Sequence, residues 1–180
     1  MFTRRLTIIV ENKADKSDLL FGGEYFDAGG WQGGVRTDRI GEHATLEFES
    51  SMVLQGVSGY VYYHNVDHTQ NLVLAFACPI ATAACFTARS GPMLMDCKDL
   101  WDRVPDLARP GAGLRRADGC AWETLDLLDE HATVRCIVLP PDGGAKITDE
   151  LGTRLAKARL CRSTLQDGAA SASDGMRALV

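Results

Sequence analysis

The sequence predicts a mainly β protein, an antiparallel β-sandwich with one short flanking helix and a C-terminal amphipathic helix. Three observations carry that expectation. Short apolar or alternating stretches recur between turn signals, as sandwich strands do. Only Asp96 to Val104 shows helical spacing in the first 141 residues, through Leu100, Trp101 and Val104. The stretch Gly56 to Pro79 reads as a hairpin whose second strand is apolar throughout, as expected for a strand covered on both faces. The expected organisation is a sandwich over 1–141, an amphipathic helical extension over 142–165 and a disordered tail over 166–180.

Taken in order, Arg4 to Val10 alternates, with Leu6, Ile8 and Val10 on one face, and ends in a polar turn. Leu19 to Phe26 reads as a second strand, with Gly22 and Gly23 marking a bulge or a close backbone approach. The run GGWQGG, Gly29 to Gly34, reads as a loop presenting Trp31. Ala44, Leu46 and Phe48 point inward from the next strand, with Thr45, Glu47 and Glu49 outward. In the hairpin, Tyr60, Tyr62 and His64 share one face, and Val61 and Tyr63 the other. Asn65 to Asn71 supplies the polar turn, and Pro79 stops the apolar strand because it cannot donate to a ladder. Ala81 to Gly91 shows no firm pattern, and Arg109 to Gly119 reads as a loop. Trp122 to Leu128 and Ala132 to Leu139 read as a last hairpin, with Val134, Cys136 and Val138 inward. Beyond it, Ile147, Leu151, Leu155, Ala158 and Leu165 make one helical stripe.

Composition narrows the function classes. The 180 residues are 46% hydrophobic and 24% charged, ordinary for a soluble globular domain. A net charge of -5 argues against a nucleic-acid partner, which favours a basic face. No apolar run approaches the roughly 20 residues of a membrane span, and the first residues do not read as a signal peptide. The six cysteines lack C-x-x-C spacing, so they read as free, partly buried thiols rather than a zinc site. No cofactor is expected.

Five motifs in fixed order resemble the actinoporins, the sea-anemone pore-forming cytolysins, and their wider superfamily. They are Arg4-Arg5-Leu6 through Glu11-Asn12-Lys13, Glu24-Tyr25-Phe26-Asp27-Ala28-Gly29, the Gly56 to Pro79 hairpin, Lys98-Asp99-Leu100-Trp101, and the closing hairpin of Gly119 to Val138. The likeness spans roughly Arg4 to Leu139. It implies membrane-lipid binding, extracellular or at a target membrane, with assembly of copies on that membrane. A choline headgroup, as in sphingomyelin, is held in that family among aromatic rings and small side chains, because a quaternary ammonium has no N–H to donate. The resemblance places Val57, Pro79, Trp101, Phe86, Ala28 and Ala77 at that site. Ala28 and Ala77 stand where the family has serines, and Cys85, Cys97 and Asp102 where it has tyrosines. Only Met1 to Thr3 precede the first strand, where the family carries its pore-lining helix, so the expectation is lipid binding without pores of that type. A glycan- or protein-binding module is the alternative, since a fungal lectin family has a similar sandwich.

Other residues admit two readings each. His64, His68 and Asp67 could ligate a metal, but read as solvated turn residues. Ser58 lies in GVSG rather than the G-x-S-x-G of hydrolases, so a triad with His131 is not expected and neither is an enzyme. Trp31 reads equally as a ligand contact or a packed ring. Tyr60, Tyr62 and Tyr63 read as sheet packing ahead of a ligand platform.

Overall fold

The computed structural model describes residues 4–14, 17–50, 52, 55–92 and 96–140. They belong to one compact unit, Met1–Gly144, and the expected C-terminal helix and tail over 142–180 lie outside the described residues. The elements begin with β1 (Arg5–Asn12), β2 (Leu19–Ala28), β3 (Gly30–Trp31), β4 (Arg39–Ile40), β5 (His43–Glu49) and β6 (Val57–His64). They continue with β7 (Asn71–Cys78), β8 (Cys85–Gly91), α1 (Cys97–Asp102), β9 (Arg115–Ala117), β10 (Cys120–Leu127) and β11 (His131–Val138).

The strands form two sheets, one of order β3-β5-β1-β11-β10-β9 and one of order β4-β2-β6-β7-β8. This is the expected mainly β sandwich, with β6 and β7 inside the second sheet. One pairing departs from antiparallel: β1 runs parallel to β11, from Arg5↔His131 to Asn12↔Val138. No hairpin joins these two strands, so no tight turn dictates their direction.

Period-two alternation fills the space between the sheets. Leu6, Ile8, Val10, Leu46, Phe48, Val134, Cys136 and Val138 come from one sheet, and Val61, Tyr63, Leu72, Leu74 and Phe76 from the other. On β2 the glycine pair does what its position suggests. The register with β6 slips between Phe21 and Gly23. A Cβ on Gly22 would overlap the Tyr62 ring. Gly29 has φ +71, and a side chain there would strike the Glu49 carbonyl and Val57, so glycine is required where β2 turns into β3.

Two stretches fold differently from expectation. Trp31 is not presented by a loop. Its short strand pairs with β5, and the ring is 9% exposed, packed 4.5 Å from Phe48 with its indole N–H donating to Glu24. Ala81 to Gly91 contains the edge strand β8, whose small side chains mask its alternation. All five cysteines among the described residues are free thiols, with Cys78, Cys120 and Cys136 buried.

Candidate functional site

The outer face of the five-stranded sheet carries α1. Asp96 caps this helix, its carboxylate accepting from the Asp99 backbone N–H at 3.0 Å. Lys98 with Asp102 and Arg103 with Asp99 add i,i+4 ion pairs at 2.7 and 2.6 Å. The buried Leu100 seats α1 on Val73 and Ala75, and Tyr60, Tyr62, Cys97, Trp101 and Val104 ring that contact. Burial of this one apolar stripe positions the side chains beside it.

Trp101 is thereby set over strands β2, β6 and β7. Its indole N–H donates to Ser58 Oγ at 3.1 Å. Tyr25 stands edge-on to it at 5.5 Å between ring centroids and stacks on Tyr60 at 5.6 Å. Lys98 Nζ lies 5.8 Å from the Trp101 ring centroid, so that ring face already accommodates a cation. Tyr25 is 43% exposed, which leaves the cluster open to solvent. Burial raises the Tyr60 phenol pKa, and nearby Cys97 and Asp96 raise it further. The phenol is therefore neutral at physiological pH and offers a ring face and an O–H rather than a charge.

Small side chains run beside these rings. Ala28, Ser58, Ala77 and Cys85 are successive register partners across β2, β6, β7 and β8. Pro79 follows β7 directly and is half-buried. Burial, then the Asp106 carboxylate at 3.3 Å, pushes the Cys85 thiol up to about 11, so it is protonated and unreactive. The result is a shallow aromatic shelf floored by small residues, able to hold an apolar or quaternary-ammonium group.

Of the residues that the family resemblance singled out, Trp101, Ala28 and Ala77 lie on this shelf and Pro79 lies at its end. Val57 and Phe86 do not. Both are 0% exposed on the inner face, Phe86 paired with Phe76 and packed 5.9 Å from Trp122. Strand alternation turns them into the core. Sequence reasoning missed Tyr25 as a site residue, and set Tyr60 aside as packing. The signal available was register, because Tyr25 and Tyr60 share a face only once β2 is paired with β6. Ser58 is engaged by Trp101, whereas His131 Nε2 bonds Thr7 Oγ1 at 2.9 Å in the other sheet. His64, the last residue of β6, stacks at 4.0 Å on His68 of the turn that follows.

Among the described residues no helix is long and apolar enough to cross a membrane. No protein-family model matches the chain, and no curated protein sequence does. Among solved structures the chain is similar to a lectin from Xerocomus chrysenteron, with a TM-score of 0.49 and 10% identity over 75% of this chain and 98% of that one. It is also similar to the lipid binding protein Nakanori, with a TM-score of 0.56 and 14% identity over 74% of this chain and 70% of that one. The likeness to Nakanori shows a shared β-sandwich fold.

Proposed function

We propose that the protein is an actinoporin-like membrane-lipid-binding protein that takes a choline headgroup on the shelf formed by Tyr25, Tyr60 and Trp101. The convergence of three aromatic rings from β2, β6 and α1 over a row of small side chains carries this reading. Ring faces attract a quaternary ammonium through their quadrupoles, and the small residues leave room for its methyl groups. The shared fold with a lipid-binding protein supports the same reading.

Flotation with sphingomyelin or phosphatidylcholine vesicles tests it against choline-free vesicles of equal charge. Choline vesicles are expected to bind preferentially. Trp101→Ala removes a cation–π contact of about 1–2 kcal/mol, which weakens binding roughly 5- to 30-fold. Equal flotation with both vesicle types, unchanged in Trp101→Ala, removes the proposal.

A second reading, glycan binding, has its own observation. A groove of about 680 Å³ lies at the other end of β6, with Asn65, Thr69, Gln70 and Ser90 lining it. Amides and hydroxyls of this kind match sugar hydroxyls in donors and acceptors. A glycan-array signal without vesicle binding selects this reading over the first.

A further inference from the structure

On the far side of α1 from the aromatic shelf, the edge strands β8 and β9 bound a cleft of about 530 Å³, within the range of small-ligand pockets. Among the described residues four arginines line it, Arg89, Arg103, Arg115 and Arg116, against one carboxylate, that of Asp99. This concentration of positive charge stands out in a chain whose net charge is -5. Asp99 is committed to Arg103 at 2.6 Å. Arg89 reaches Asp118 only at 4.0 Å, and Arg115 donates to the Asp106 carbonyl oxygen at 2.8 Å.

Trp122 supplies an independent observation. It lines the same cleft, is 4% exposed, and its indole N–H is buried with no hydrogen-bond partner among the described residues. A buried unpaired donor is costly, and such a group needs an explanation. A lining dominated by N–H donors is complementary to a ligand dominated by acceptor oxygens. Guanidinium forks match a tetrahedral oxyanion bidentately.

We propose that this cleft is a binding site for a phosphate monoester, separate from the aromatic shelf. Arg89 and Arg115 contact its oxygens from opposing edge strands, and the Trp122 indole N–H gains an acceptor. The group can arrive on a soluble molecule or on the headgroup of phosphatidic acid, which share this chemistry.

The test uses the full chain with two probes, glycerol 3-phosphate by calorimetry and vesicles containing phosphatidic acid by flotation. Saturable binding is expected, weakening as salt rises because the contacts are charged. Arg89→Gln and Arg115→Gln, both on solvent-accessible side chains, are each expected to weaken it at least 10-fold. Arg115→Lys keeps part of the affinity. Arg39→Gln, an exposed arginine on β4, leaves it unchanged. Tight vesicle binding with weak binding of the soluble ester assigns the source to lipid, and the reverse assigns it to a free phosphate compound. Binding of neither probe overturns the proposal. So does an Arg39→Gln loss equal to those of Arg89→Gln and Arg115→Gln, which would reduce the effect to net charge.

Discussion

Trp101 and Phe86 look alike in the sequence, two aromatic residues at positions that the resemblance assigns to a headgroup pocket. Their elements separate them completely, with Trp101 on α1 over the outer face of the sheet and Phe86 on its inner face. Phe86 sits on β8, where Cys85, Thr87 and Ala88 are too small to show alternation, so its inward direction was illegible without the pairing to Phe76. Trp31 was obscured for a related reason: flanking glycines read as a loop, while pairing with β5 makes it a core ring. Phe86→Ala is expected to cost about 3–5 kcal/mol in urea unfolding, the usual range for emptying a buried phenyl site. Vesicle binding by its folded fraction should remain. Trp101→Ala should show the opposite pattern, a smaller stability loss and a large binding loss. Equal behaviour of the two variants in both assays would contradict the separation of core from shelf.

At the level of elements, α1 was legible because its signal is local, the three-four spacing of Leu100, Trp101 and Val104. The shelf that it builds was not legible, because it depends on non-local register between β2 and β6. The helix has only six residues, so its position rests on Leu100 and on the cap. Asp96→Ala is expected to cost about 1 kcal/mol. Its most direct reading is faster hydrogen exchange at the Asp99 amide, the donor that Asp96 accepts from. Weaker vesicle binding should accompany it, since Trp101 is carried on the same turn. On β2 the glycine pair was read correctly as a bulge or close approach. Gly22→Ala should destabilise by about 1–3 kcal/mol, because its Cβ would meet the Tyr62 and His64 rings. An alanine variant as stable as the parent would show that those rings move aside freely.

At the scale of the whole molecule, alternation and turn chemistry were enough to recognise a sandwich, because each strand carries its own period. They could not show that the first strand closes against the last. That closure is the parallel β1–β11 pair, and it brings Arg135 against Glu11 at 2.6 Å and Glu123 at 3.4 Å, joining β1, β10 and β11. Burial raises the Glu11 pKa, but the hydrogen bond and charge of Arg135 outweigh it and hold the carboxyl below its ordinary value of 4.5. The Arg135 guanidinium is held charged chiefly by its hydrogen bond to Glu11. A carboxylate with a lowered folded-state pKa stabilises the fold above its unfolded-state pKa and loses that contribution as pH falls through the folded value. Urea stability is therefore expected to be level with respect to this group near neutrality and to decline below about pH 4.5. Arg135→Met takes the cation from two carboxylates, one of them on the nearly buried Glu123, at a cost of about 3 kcal/mol near neutrality. It should also flatten the acid limb, because the hydrogen bond and charge that hold the Glu11 carboxyl low are then gone. A variant that keeps the parent's full acid slope would show that this closure is not what acid undoes.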